Sequence, residues 1–181
     1  MSSARLAQVQ VSRRSRLRLV TSEPALRLRV AGPRDRAALG EFLARLSPAT
    51  LQARYMTMLT RLDGPLAERE LHRVLDRDVA RHVVVVAEER TAIRGVAEFV
   101  VEGDGRTAEL ALTIEDAFQH QGLGRRLYRR LESLARRAGL VAFTGDMRHG
   151  NYAMLEFLRA TGRPLHVEST YGGLRFKLQI A

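Results

Sequence analysis

From residue 26 onward the chain switches between two hydrophobic periods. Residues 26–30 read Leu-Arg-Leu-Arg-Val, a period of two that predicts a strand. Gly32-Pro33 ends it, and Pro33 suits the first turn of a helix reaching about Leu46, with Ala38, Phe42 and Leu46 as its apolar stripe. Ser47-Pro48 opens a second short helix with Leu51, Tyr55 and Leu59 at helical spacing, and residues 65–75 form a third. Two strands follow at 82–88 and 93–101, joined by a short polar turn. Gly103-Asp104-Gly105 is a hairpin signal leading to a strand at 107–114. A long helix is predicted over 122–138, a strand over 141–146, a helix over 151–161 closed by Gly162, and two last strands at 165–169 and 174–180 around Tyr171-Gly172-Gly173. Strands and helices in this order predict an α/β fold with a mixed sheet and helices packed on it.

Composition narrows the chemistry. A length of 181 residues fits one domain, and the absence of cysteine excludes disulfides, thiolate nucleophiles and thiolate metal sites. None of the five histidines stands in a ligand pair such as HExxH, so no metal site is expected. No apolar run approaches the ~20 residues of a membrane span, and residues 1–25 lack a signal peptide's apolar stretch, so a cytoplasmic protein without a membrane partner is expected. The net charge is +10, and Lys177 is the single lysine among thirty basic residues. Arginine suits bidentate contact with phosphate, which points to an anionic partner; genome base composition accounts for part of the Arg excess over Lys but not for the net charge. Residues 1–25 carry Arg5, Arg13, Arg14, Arg16 and Arg18 against Glu23 alone and read as a basic extension, either a solvated tail or, in part, an extra edge strand. Residues 26–181 form the domain.

The candidate chemistry centres on Gln119-His120-Gln121-Gly122-Leu123-Gly124-Arg125, between a strand and the long helix. The glycines let backbone approach a ligand, and the helix's first turn offers unpaired N–H groups and a positive dipole end, an anion site. No Gly-Lys-Ser/Thr follows, so it is no Walker loop, and the third glycine of the dinucleotide fingerprint is missing. Leu123, Leu127, Leu131, Leu134 and Ala138 form the apolar stripe of the helix, while Arg125 and Arg126 in its first turn oppose the macrodipole by about 0.3–1 kcal/mol each unless a bound anion reverses the sign.

Ile114-x-x-x-x-Gln119-x-x-Gly122-x-Gly124, followed by helix, strand and Asn151 opening another helix, resembles the GNAT N-acetyltransferase family over about residues 26–180. Leu46-Ser47-Pro48 with Arg54-Tyr55, Asp76-Arg77-Asp78, Ala108-Glu109-Leu110-Ala111 and Asn151-x-x-Met154-Leu155 resemble, more narrowly, the catalytic domain of bacterial protein lysine acetyltransferases. The resemblance implies a GNAT-type mixed, largely antiparallel central sheet with helices on both faces, and acetyl-CoA as cosubstrate. It implies that Leu112, Thr113 and Ile114 pair with the pantetheine arm, that backbone amides of Gln119, His120, Gln121, Gly122, Leu123, Gly124 and Arg125 hold the pyrophosphate, and that Asn151 bonds the cofactor arm. Asn151 is equally a helix N-cap, and both roles are compatible. Glu109 matches the acidic position where that subfamily places its base; Glu98 and Asp146 are the other carboxylates near the slot. The family's tyrosine seven residues after this Asn is Leu158 here, and Gly162-Arg163 stands where the family has Gly-Phe; Tyr152 and Tyr171 are candidate substitutes as acid, though such residues are more often packing or turn residues.

The implied reaction is acetyl transfer to a primary amine, a protein lysine first and a small amine second. The competing expectation is a non-catalytic acyl-CoA sensor or nucleic-acid binder on the same fold; nucleic acid is disfavoured because the arginines are spread over all helices and no reader module is present. Acceptor choice falls to residues 47–78, with Glu68, Glu70, Asp76 and Asp78, and to the 169–174 loop.

Overall fold

The computed structural model describes residues 26–181. The 1–25 extension lies outside the described residues. Seven strands form one sheet in the order β1-β2-β3-β4-β5-β7-β6. They are β1 (Arg27–Val30), β2 (His82–Glu89), β3 (Ala92–Val101), β4 (Thr107–Ile114), β5 (Ala142–Met147), β6 (Leu165–Thr170) and β7 (Gly173–Gln179). Every neighbouring pair is antiparallel except β4–β5, which is parallel.

Helices cover both faces. On one, α1 (Arg36–Arg45), α2 (Pro48–Tyr55) and α3 (Gly64–Leu75) bring Phe42, Leu51 and Leu71 against Val84, Val86 and Ile93. On the other, α4 (Leu123–Arg137) and α5 (Tyr152–Arg159) bring Leu127, Leu131 and Leu158 against Val85, Phe99, Phe143 and Phe176. The valine run of β2 is buried on both sides, which is why it reads as continuous rather than alternating. The architecture is the mixed α/β sheet that the sequence pattern implies, and it is largely antiparallel with helices on both faces, as the resemblance implies.

Local differences have local causes. The first predicted helix begins as a 3-10 turn, Pro33–Asp35. Helix α2 stops at Tyr55 because Met56 adopts a left-handed φ of 55°, so Leu59 packs from the following loop. In α4, Ala135 rather than Ala138 completes the buried stripe, one turn beyond Leu131. Gly95 sets how closely α4 lies on the sheet: a Cβ there would sit 2.8 Å from Ile114 Cδ1 and 2.9 Å from Leu127 Cδ1.

Candidate active site

The parallel pair β4–β5 is short. Its register runs Thr107↔Ala142, Ala108↔Phe143, Glu109↔Thr144 and then stops, while β4 continues to Ile114 and β5 to Met147. On its other edge β4 stays paired with β3 up to Gly95↔Ile114. Glu115 N donates to Arg94 O at 2.9 Å, which fixes the alternation along β4. The backbones of Glu109, Ala111 and Thr113 turn to β3; those of Leu110, Leu112 and Ile114 turn to the gap. The Ile114 carbonyl is taken by Gln119 Nε2 at 3.0 Å, while the Leu112 N–H and C=O have no strand partner across the gap. Of the three residues expected to pair with a pantetheine arm, Leu112 and Ile114 thus present backbone to the opening, and Thr113 instead sends its side chain into a pocket on the opposite face.

The loop from β4 to α4 crosses the mouth of this gap. Gln119 is half-buried; its side chain also donates to Thr50 Oγ1 at 3.1 Å. Asp116 ties the same loop to the start of α2, accepting from Ser47 Oγ at 2.5 Å and Thr50 Oγ1 at 3.0 Å. His120 is exposed in a left-handed conformation, and the Gln121 side chain donates back to Ala117 O at 2.7 Å. Gly122, the N-cap of α4, has φ 79°, which a side chain would strain. Arg126 N bonds back to Gly122 O, leaving the amides ahead of it as the unpaired start of the helix. The Leu123 side chain is buried in the core, and Gly124 lets the helix approach Leu112 and Phe157, whose atoms lie 3.4 and 3.6 Å from where a Cβ would be. Arg126 is tied to Leu26 O at 2.9 Å, whereas Arg125 lines a groove of about 300 Å³ between α4 and the end of α5, with Tyr128, Arg129, Phe157 and Arg163. In that groove Arg163 Nη2 lies 2.6 Å from Glu132 Oε1 without hydrogen-bond alignment, and the buried Tyr128 hydroxyl has no partner among the described residues. Burial, and then the charge of Glu132, push the Tyr128 pKa up.

Asn151 caps α5, its Oδ1 accepting from Met154 N at 3.2 Å. That leaves its amide nitrogen free of any described bond. Leu158 is wholly buried in the core, while Tyr152 and Tyr171 are exposed.

The three carboxylates differ sharply. Glu98 is 4% exposed and accepts from His82 Nε2 at 2.6 Å, Arg54 Nη2 at 2.5 Å and Arg73 Nη2 at 2.7 Å. Burial alone would raise its pKa, but the His82 hydrogen bond and the two guanidiniums outweigh burial and hold it far below the ordinary carboxylate range. Asp146 is gripped by Arg175 at 2.8 and 2.9 Å, which lowers its pKa. Glu109 is exposed on the same face as Glu98 and makes no ion pair with any described residue. Beside Glu98 a narrow cleft of about 20 Å³, room for about one water, opens between the α1–α3 layer and the sheet, lined by Phe42, Tyr55, Glu70, Ala111 and Thr113 among others.

Sequence reading singles out the loop and Glu109 but misses the Arg54–Arg73–His82–Glu98 cluster and the Asp116 tie. Their members sit far apart in the chain, and no spacing rule joins them; Asp116 and Ser47 are individually ordinary turn and cap residues. No group of three metal-ligating side chains gathers among the described residues.

The start of α4 thus lies against the stretch of β4 that has parted from β5. The family model for the acetyltransferase (GNAT) family matches residues 49–162, and the chain belongs to that family. Similar solved structures include the GNAT domain of PAT from S. lividans (20% identity, TM-score 0.77, covering 85% of this chain and 90% of that one). Others are yncA from Salmonella typhimurium with its cofactor acetyl-CoA (24%, TM-score 0.65, 86% and 92%) and the PaiA N-acetyltransferase of Thermoplasma acidophilum in complex with coenzyme A (17%, TM-score 0.64, 85% and 98%). At these identities the likeness is one of fold.

Proposed function

We propose that the protein transfers the acetyl group of acetyl-CoA to a primary amine, a protein lysine in first place, with Glu109 as general base. The observation that carries this is the parting of β4 from β5 with the start of α4 at its mouth. Leu112 and Ile114 offer the edge along which a pantetheine arm pairs, and one of their N–H groups faces the thioester oxygen, where negative charge develops. The amides of the Gln119–Arg125 loop receive the pyrophosphate, and Arg125, Arg129 and Arg163 supply cations along the adjoining groove. The Asn151 amide nitrogen reaches the cofactor arm while its oxygen caps α5. Glu109, free of ion pairs, takes the proton from the incoming ammonium, directly or through water. With Leu158 buried, no side chain is assigned as acid to the departing thiolate. Residues 1–25 are taken as an extension outside this domain, since every motif residue lies beyond them. No helix among the described residues is long and apolar enough to cross a membrane, and the cytoplasm is the proposed setting.

A small amine is the alternative acceptor, for which the carboxylate of Glu70, on the wall of the cleft beside Ala111 and Thr113, would be the attracting charge. Acetyl-CoA consumption measured against lysine-containing peptides and small amines decides between them, run beside a salt-dependent DNA titration. Turnover with peptides is expected; a steep salt slope with no acetyl transfer overturns the enzyme assignment.

A further inference from the structure

The chain's single lysine stands beside the proposed reaction centre. Lys177 is on β7, exposed, and makes no ion pair with a described carboxylate. The registers place it in a transverse row: Glu109 is opposite Thr144, and Thr144 is opposite Lys177. Opposed residues in a sheet point to one face, so all three side chains stand on the face away from α4. Two strand spacings put the Cα atoms of Glu109 and Lys177 roughly 10 Å apart. An extended lysine side chain spans about 6 Å of that. Thr144, between them, is short and held down by donating to Glu102 Oε1 at 2.8 Å. The gap between β4 and β5 opens immediately beyond the Glu109–Thr144 pair. The neighbouring cation on β7, Arg175, is committed to Asp146 and carries a guanidinium that stays protonated. Lys177 is therefore the one amine of the described chain within reach of that opening.

We propose that Lys177 is acetylated in cis, by acetyl-CoA bound in the protein's own β4–β5 gap. This rests on the acetyltransferase function proposed above. The Lys177 ammonium gives one proton to Glu109; the free Nζ attacks the thioester carbonyl, the C–N bond forms and the C–S bond breaks, and the departing thiolate takes the second proton. The products are an Nζ-acetyl-lysine and CoA, with the proton on Glu109 passing to solvent. The change removes the one free positive charge of the row and leaves a neutral amide beside Glu109.

The test incubates the full-length protein with acetyl-CoA, with and without excess CoA, in parallel with a lysine-containing peptide as external acceptor. Intact mass and peptide mapping read the modification. A single acetyl group on Lys177 is expected, formed at a rate constant independent of protein concentration, suppressed by excess CoA and absent from Lys177→Arg, which still acetylates the peptide. Acetylated peptide with unmodified Lys177 overturns this inference alone. Modification that scales with protein concentration overturns the cis geometry, and modification indifferent to excess CoA shows solution acylation and overturns it too. If neither acceptor is modified, the acetyltransferase function falls and this inference with it.

Discussion

A lysine amine, with a pKa near 10.4, arrives almost wholly protonated at neutral pH, so its attack waits on a group able to remove that proton. Glu98 and Asp146 are each satisfied by cationic partners that stabilise their ionised forms, which makes them weak proton acceptors. Glu109 has no such partner. Glu109→Gln keeps the shape and removes the basicity; kcat is expected to fall by about 10²–10⁴ near neutral pH, with CoA affinity unchanged and a smaller loss at high pH. Wild-type turnover in that variant at neutral pH transfers the proton to solvent. Glu98 has a different part, as the hub that gathers α2, α3 and β2 around β3 through Arg54, Arg73 and His82. Removing one side of a buried ion pair costs about 3–5 kcal/mol, and less here because Arg73 is partly exposed and can be hydrated. Since the folded-state pKa is depressed, this stabilisation is present above the unfolded carboxylate's pKa of about 4.3 and is lost as pH falls below it. Denaturant titrations of wild type and Glu98→Gln are expected to differ most at neutral pH and to converge in acid; a pH-independent gap would assign the stabilisation to packing.

At the scale of elements, the proposed role of α4 couples packing to ligand binding. Its buried stripe fixes it to the sheet, while its first turn carries amides without intrahelical partners and packs Gly124 against Leu112. Gly122→Glu meets a left-handed backbone and Gly124→Glu meets Leu112 and Phe157, and each adds negative charge at the helix start. Either is expected to abolish the rise in melting temperature given by acetyl-CoA, which at a hundredfold excess over Kd is worth about 2.7 kcal/mol of stability. Undiminished CoA binding in the double variant refutes the phosphate role of this loop. The helix was legible in sequence because a stripe repeating every three to four residues is the strongest periodic signal a chain carries. Its neighbour α2 was legible only at the start, where Ser47 caps it and accepts from Thr50 N at 3.2 Å. The stop at Met56 rests on a left-handed residue that is neither Gly nor Asn, so nothing in the residue type announces it.

For the molecule as a whole, the continuous valine run of β2 and the hairpin signal at Gly103–Gly105 make the layered sheet readable, but the order of its strands is not legible in the sequence. The placement of β7 between β5 and β6 depends on contacts distant in sequence, and so does the row that brings Lys177 beside Glu109. The incomplete β4–β5 ladder has a further consequence, on the timescale of solvent exchange. On the proposed function, a pantetheine arm takes the place of the missing length of strand, and the ligand finishes the sheet. In deuterated water the amides of Leu112 and Ile114 are expected to exchange rapidly in the free protein and to become protected with acetyl-CoA. Those of Ala111 and Thr113, already bonded to β3, should be slow in both states. The two sets of amides, adjacent in the chain and opposite in direction, would then report cofactor occupancy as an alternating pattern along a single strand.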